Sequence, residues 1–362
     1  MKRFLSYIIV IMLIVLMVVF PRETVESAKK AVNLCAEIII PSLFPFFVCS
    51  GLVVRSGLAE RIAVFAKPVM QPVFNVNENG AAAFVLGILS GYPLGAATAC
   101  ELYDKGCLSR TETERLLGFC NNSGPLFILG AVGSAMYASV GTGLVLYAAH
   151  LAAAVSVGVI FGLFDKKTES KNVVKQAELK SIADIFPGVL SAAADNMITV
   201  CCAVIFFSTM SGLVTSLLPS DGLVKALVCA AAELTSGTKI ISELSVPLCC
   251  RLIMSAFTVG FAGLCVHLQV ISICAGRGLS LKPYIFGKFL HGALSALYVL
   301  LILQFVPVTE TVFREIPQKS AAVMAGSLYQ AVTVIFAVLL SCMVMVLTAC
   351  TNKKLKKFQK NY

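Results

Sequence analysis

Runs of about twenty apolar residues, the length at which an α-helix can cross a bilayer, recur along the whole of this chain. Short segments between the runs carry most of the charge. Of the 362 residues, 58% are hydrophobic and 13% are charged, whereas soluble domains are about 25% charged. The pattern predicts an all-α, multi-pass integral membrane protein and argues against a soluble enzyme.

Eight apolar runs are long enough to span a membrane, at residues 4–20, 31–54, 119–140, 142–164, 187–217, 247–275, 284–306 and 322–349. Lys2 and Arg3 precede the first run, as in a signal sequence, but no small-x-small cleavage site follows it. Residues 1–30 are therefore interpreted as an uncleaved signal anchor, with a cleaved signal peptide as the alternative.

Two further apolar segments, 80–100 and 222–244, are too short or too interrupted to span a bilayer comfortably. Ser90-Gly91-Tyr92-Pro93 interrupts the first, and Glu233-Leu234-Thr235-Ser236-Gly237 interrupts the second. Glycine and proline break helices, and broken backbone survives at membrane depth only where protein or a watery cavity satisfies it. Both segments are predicted to be re-entrant hairpins, which enter and leave on one face.

The positions of the basic residues support this topology. With an inside N-terminus, most of the 29 Lys and Arg residues fall on the inside, in the linker 165–182, in the tail and in loops that include Arg277, Lys282 and Lys288. Positive charge concentrates on the cytoplasmic side of membrane proteins. The net charge of +10 therefore reflects topology and attraction to lipid headgroups, and no nucleic-acid partner is predicted.

The two halves of the chain echo each other in sequence. Phe46-Phe47 precede Ser50-Gly51-Leu52-Val53, and Phe206-Phe207 precede Ser211-Gly212-Leu213-Val214. Each half contains a broken hairpin and begins on the opposite side of the membrane, which predicts two inverted repeats; chance recurrence of a short motif is the alternative. Inverted repeats with matching breaks are typical of secondary transporters.

The predicted domains follow from this repeat. They are the anchor 1–30, a first repeat 31–164, a basic cytoplasmic linker 165–182, a second repeat 183–306, and a final transmembrane helix with a basic tail, 307–362.

The candidate substrate-binding residues lie at the two breaks and at polar positions within apolar runs. They are Ser90, Gly91, Tyr92, Asn121, Asn122, Ser123, Glu233, Thr235, Ser236, Gly237 and Gln269. Half-helix N-termini can hold a carboxylate or phosphate, and polar groups inside a membrane face a cavity or a partner. For each position a structural alternative stays open: a kink, an ordinary helix cap or an internal ion pair.

All three histidines lie within predicted apolar spans. His150 and His291 are interpreted as structural residues on apolar spans. His267 lies two positions before Gln269, so the two side chains are expected on different faces of their helix.

An ordered set of short motifs between residues 31 and 306 resembles the YlbJ-type sporulation integral membrane proteins. The motifs are Pro41-Ser42-Leu43-Phe44-Pro45-Phe46, Gly91-Tyr92-Pro93-Leu94-Gly95, Asn121-Asn122-Ser123-Gly124-Pro125-Leu126-Phe127, Glu233-Leu234-Thr235-Ser236-Gly237, Gly260-Phe261-Ala262-Gly263-Leu264 and Val266-His267-Leu268-Gln269. Ser123 departs from the pattern, which has a smaller residue such as Ala there.

The resemblance implies nucleoside-recognition, or Gate, domains and an architecture similar to that of concentrative nucleoside transporters. It implies a part in endospore formation in a Gram-positive bacterium. It also implies transport of dipicolinate from the mother cell across the outer forespore membrane.

The sequence thus predicts a secondary transporter or facilitator of a small polar or anionic solute, either an aromatic dicarboxylate or a nucleoside-like compound. No Walker, H-E-x-x-H or G-x-S-x-G motif is present, so no catalytic residue, metal or cofactor is predicted and an intramembrane enzyme is disfavoured. A membrane scaffold for sporulation assembly is the main alternative, although the polar segments are short. The coupling ion and the oligomeric state, including a homo-oligomer, stay open.

Overall fold

A computed structural model of the chain describes residues 2–164, 181–216 and 222–305. All regular secondary structure in these ranges is helical. The predicted span 322–349, the basic tail and nearly all of the predicted linker 165–182 lie outside the described residues.

The first two apolar runs form two long helices. Helix α1 covers Lys2–Val19, and a continuous helix then runs through α2 (Pro21–Leu34), a π-helical turn (Cys35–Ile39) and α3 (Ile40–Arg55). Residues 21–30 were assigned to the anchor, but they form the first turns of this second helix. Pro21 explains the boundary, because proline lacks a backbone donor and is well placed in a first helical turn.

The remaining elements are mostly short helices, with three longer ones of 25, 35 and 24 residues. They are α4 (Leu58–Phe74), α5 (Gly80–Ser90), α6 (Leu94–Asp104), α7 (Arg110–Cys120), a π-helix (Leu126–Met136), α8 (Val140–Phe164), α9 (Ile182–Ser216), α10 (Leu223–Ala232), α11 (Leu234–Ser242), α12 (Leu248–Phe261), α13 (Gly263–Cys274) and α14 (Lys282–Phe305).

Four stretches of the described chain are long and apolar enough to cross a membrane: Val140–Leu163, Ile182–Ser216, Leu248–Cys274 and Lys282–Phe305. They coincide with four of the predicted spans. The all-helical membrane architecture is therefore confirmed, whereas the total of eight spans and the re-entrant course of the hairpins stay predictions.

Both interrupted segments fold back on themselves as helical hairpins. In the first hairpin, formed by α5 and α6, a Cβ on Gly87 would lie 3.0 Å from the Gly95 Cα atom and would overlap the Cys120 carbonyl oxygen. In the second hairpin, formed by α10 and α11, a Cβ on Gly237 would lie 2.8 Å from the Ala230 Cβ. Small residues therefore allow the two arms of each hairpin to touch at their backbones.

One span predicted to be continuous, 119–140, is broken in the structure. Helix α7 ends at Cys120, and residues 121–124 are irregular before the π-helix begins. Pro125 supplies the physical reason, because it has no amide hydrogen for a helical bond and disfavours a helical conformation at the residue before it.

The predicted span 247–275 is also interrupted. Ala262 and Gly263 adopt left-handed backbone conformations, with φ of 78° and 71°, between α12 and α13. The predicted span 247–275 is therefore a membrane-spanning candidate that bends at residues 262–263, and each half of the described chain contains one broken hairpin and one further broken helix.

The hairpin contact at Gly87 yields a stability prediction. Gly87→Ala should lower the free energy of unfolding by about 1–3 kcal/mol, because the added methyl group meets backbone atoms that cannot move aside. Gly141→Ala is the matched control: its Cβ would meet only the Ser139 hydroxyl at 3.7 Å, and alanine should stabilise α8 by up to about 1 kcal/mol. Thermal unfolding of the detergent-purified variants measures both, and equal shifts would contradict the close approach of α5 and α6.

Candidate functional site

The break in the first hairpin touches the break that follows α7. Gly91 has a φ of +91°, and a Cβ there would lie 2.8 Å from the Gly124 amide nitrogen. A Cβ on Gly124 would in turn lie 3.0 Å from the Ser90 carbonyl oxygen. We call this backbone contact between residues 90–93 and 121–124 the first junction.

The first junction brings together six of the residues predicted to bind substrate. They are Ser90, Gly91, Tyr92, Asn121, Asn122 and Ser123, and all of them are buried. Asn121 and Asn122 are each 0% exposed, and Asn122 Nδ2 donates to the Phe119 carbonyl oxygen at the end of α7, so the helix-cap alternative stays open beside the binding role. The first junction is a polar region enclosed by helices.

A second junction has the same design in the other half of the chain. A Cβ on Gly263 would lie 3.1 Å from the Ala230 carbonyl oxygen and 3.4 Å from the Leu234 amide nitrogen. The break between α12 and α13 therefore lies against the turn of the second hairpin. The two halves share this local arrangement, while the inverted orientation of the repeats and the domain boundaries stay predictions.

The Glu233 side chain caps the N-terminus of α11 at the second junction. It is 3% exposed, and its two carboxylate oxygens accept hydrogen bonds from the Thr235 and Ser236 amides at 2.8 and 2.7 Å. Thr235, Ser236 and Gly237 form the first turn of α11, so the interruption is confined to Glu233. The helix N-terminus that could bind an anionic solute is thus occupied by the chain's own carboxylate.

A buried lysine that the sequence interpretation missed lies beside the first junction. Lys288 was counted among inside loop residues, but it lies within α14 and is 0% exposed. Its Nζ donates a hydrogen bond to the Asn121 carbonyl oxygen at 2.9 Å and lies 5.2 Å from the centre of the Tyr92 ring. The signal was present in the sequence: Lys288 interrupts an apolar run and stands three residues before His291, on the same helix face.

Two histidines, interpreted as structural, also contact this region. The Ser123 amide donates to His150 Nε2 at 2.9 Å, and His291 Nε2 lies 3.1 Å from the His150 carbonyl oxygen. Their ring centroids are 4.3 Å apart. Because His150 Nε2 is the acceptor, a neutral His150 ring carries its proton on Nδ1.

Several buried polar atoms around the first junction have no hydrogen-bond partner within the described residues. They are Ser90 Oγ, Asn122 Oδ1, His150 Nδ1 and His291 Nδ1, and the Asn121 side-chain amide has only the Tyr284 hydroxyl beside it. Buried polar groups in folded proteins are nearly always hydrogen-bonded, so such a group of atoms indicates a place for a polar ligand or for water. We call Ser90, Tyr92, Asn121, Asn122, Ser123, His150, Lys288 and His291 the polar centre.

His267 and Gln269 face different partners. His267 Nδ1 lies 3.0 Å from the Tyr284 hydroxyl on α14. Gln269 Nε2 lies 3.3 Å from Cys265 Sγ, and Cys265 packs in an apolar cluster with residues of α9. Gln269 therefore points toward α9, and its hydrogen bond to Cys265 does not connect it with the polar centre.

A polar cleft of about 390 Å³ runs along α6, between α3, α9 and α13. Its polar lining includes Ser50, Thr98, Glu101, Asp195, Asn196 and Thr199. The cleft extends from Asp104, at the end of α6, to Leu94, the first residue after the hairpin break. At 1.5 Å per residue this path covers roughly 15 Å along the helix. Leu94 directly follows residues 90–93 of the first junction in sequence, while the junction residues themselves are not part of the cleft lining.

Two ion pairs fasten α6 at the mouth of this cleft. Arg55 Nε on α3 lies 2.9 Å from Glu101 Oε1, and Arg277, after α13, lies 2.7 Å from Asp104 Oδ2. The hydrogen bonds to Asp104 raise the pKa of the Arg277 guanidinium above its ordinary value. Both acids belong to α6 and both arginines to its neighbours, so any movement of α6 away from them must break these pairs.

Comparison with known proteins supports the resemblance seen in the motifs. The chain is 27% identical over 318 residues to the Sporulation integral membrane protein YlbJ of Bacillus subtilis (strain 168), and the match covers 78% of each protein. No protein-family model matches the chain. No solved structure matches it either.

The cap at Glu233 yields a second stability prediction. Glu233→Ala should lower the free energy of unfolding by about 1–2 kcal/mol, because it leaves two amides at the start of α11 without their acceptor. Glu243→Ala is the control, since its pair with Lys239 has both side chains about 60% exposed and should be worth less than about 0.5 kcal/mol. Thermal unfolding in detergent compares the two, and equal losses would argue against the cap.

Proposed function

We propose that this chain, a YlbJ-type integral membrane protein, is a secondary transporter or facilitator of a small anionic or polar solute. The observation that carries the proposal is the first junction, where two broken helices meet around buried polar side chains near the inner end of a cleft. Irregular backbone is tolerated at membrane depth where it lines a cavity, and discontinuous helices form the substrate sites of many transporters.

The cleft along α6 is the proposed route between the first junction and one side of the membrane. It is lined by hydroxyl, amide and carboxylate side chains, which suit a hydrated solute better than a lipid chain. The ion pairs of Arg55 with Glu101 and of Arg277 with Asp104 hold α6 in its present position. Alternating access would require α6 to move against α3 and α9, so these pairs would break and re-form in each cycle.

Dipicolinate, an aromatic dicarboxylate, is the solute that we propose, with transport across the outer forespore membrane during endospore formation. The likeness to a sporulation integral membrane protein supports the setting. Lys288 and the flat ring of Tyr92 support the solute, since a lysine can pair with a carboxylate and an aromatic ring can pack against a planar one. A nucleoside is the second candidate, because the paired carboxamides of Asn121 and Asn122 can recognise a neutral base.

Uptake of labelled dipicolinate into proteoliposomes that contain the purified chain tests this function. Saturable uptake above that of empty liposomes is expected. Uptake of uridine alone would retain a transporter and reject the dicarboxylate. Failure to carry either solute, with protein shown to be folded, would favour the membrane scaffold.

The proposed route predicts the effect of filling the cleft. Ala97 lines the cleft on α6, so Ala97→Phe should reduce dipicolinate uptake to near the level of empty liposomes. Ala135→Phe, at an exposed position outside the cleft lining, should leave uptake unchanged. Initial uptake rates at equal reconstituted protein make the comparison. Normal uptake by folded Ala97→Phe protein would exclude the cleft as the route.

A further inference from the structure

We propose that Lys288 is the positive charge that binds a carboxylate of the solute, and that the polar donors of Ser90, Asn121 and His150 complete this carboxylate site. The proposal rests on the transport function proposed above and names the chemical class that the polar centre selects.

Within the described ranges, Lys288 has no partner of opposite charge. Its Nζ contacts a neutral carbonyl oxygen, that of Asn121, and the face of the Tyr92 ring. No carboxylate pairs with Lys288 among the residues that the structure describes. A buried amine without a counter-charge is favoured in its neutral form, and an anion that binds beside it stabilises the charged ammonium form.

The unpartnered atoms nearby include the donors that a carboxylate needs. An ionised carboxylate only accepts hydrogen bonds. The Ser90 hydroxyl has no partner within the described chain, and the Asn121 side-chain amide, which contacts the Tyr284 hydroxyl, has a second N–H to donate. His150 Nδ1 carries a proton because Ser123 donates to the other ring nitrogen. These groups and Lys288 adjoin one segment, residues 121–124, so they can act on the same ligand.

Tyr92 adds a flat surface to the same site. Its hydroxyl donates to the Val259 carbonyl oxygen, which holds the ring in place between the first hairpin and α12. Lys288 lies over this ring. A carboxylate attached to a planar ring can therefore pair with Lys288 while its ring packs against Tyr92, and a neutral solute of the same shape would leave the ammonium group unpaired.

The second junction differs from the first in its ionisable side chain, which is a glutamate rather than a lysine. There the chain's own Glu233 carboxylate accepts hydrogen bonds from two amides. At the first junction, Lys288 and hydrogen-bond donors are present instead, and no carboxylate of the described chain pairs with Lys288. The contrast places the carboxylate specificity at the first junction.

The test compares two probes of the same shape and different charge on the full chain purified in detergent. The probes are dipicolinate, a dianion, and its neutral diamide, pyridine-2,6-dicarboxamide. The unaltered protein should bind the dianion at least about tenfold more tightly than the diamide, which corresponds to about 1.4 kcal/mol. Calorimetric titration gives both dissociation constants.

Variants then assign the charge to Lys288. Lys288→Met should weaken dipicolinate binding at least about tenfold and leave the binding of the diamide unchanged. Lys282→Met is the matched control, since Lys282 is an exposed lysine at the start of the same helix and its loss should alter neither constant. Lys288→Arg should retain a preference for the dianion, because it retains the charge.

Several outcomes would overturn the proposal. Folded Lys288→Met protein that binds dipicolinate as tightly as the unaltered chain removes Lys288 from the site, and dipicolinate uptake by the unaltered chain would then leave the transport function intact. A diamide bound as tightly as the dianion refutes carboxylate selection without any variant, so the test stands even if Lys288→Met fails to fold. Absence of both binding and uptake would refute the transport function itself.

Discussion

Backbone amides and carbonyls that a broken helix releases must find partners when water is absent, and the fold places each break against another break. The first hairpin meets the segment that follows α7, and the second hairpin meets the bend between α12 and α13. Glycine is required on both sides of the first contact and on one side of the second, because a Cβ would displace neighbouring backbone. The helices around them, including α8 and α14, enclose the two junctions and keep the irregular backbone inside the protein.

The two junctions are alike in backbone and differ in their ionisable side chain. Glu233 brings a carboxylate to the second junction, and its hydrogen bonds complete the start of α11. Lys288 brings an ammonium group to the first, together with polar side chains that lack partners in the described chain. The second junction therefore satisfies its hydrogen-bonding groups with its own residues, whereas the first has hydrogen-bond donors that lack acceptors in the described chain. This asymmetry is what makes the first junction the better candidate for a solute that arrives and leaves.

The cleft along α6 ends at Leu94, next in sequence to the first junction. Its inner end is Leu94, at the start of α6, and its mouth is bordered by the ion pairs of Arg55 and Arg277 with acids of α6. A single helix thus carries the hairpin break at one end and the ion-paired acids at the other. Movement of α6 would change both together, which is the mechanical coupling that a transporter needs between its binding site and its access route.

Local sequence determined the helical class, four of the long apolar helices and both hairpins, because apolar run length and the placement of glycine and proline act within a few residues. It also singled out Asn121 and Tyr92 as unusual polar residues within apolar segments. Only the tertiary structure decided that the span 119–140 is broken, that Glu233 closes its own helix end, and that Lys288 and His150 share one buried region. The physical reason is distance along the chain: Lys288 and Asn121 are 167 residues apart and make their contact only through the packing of α14 against α7.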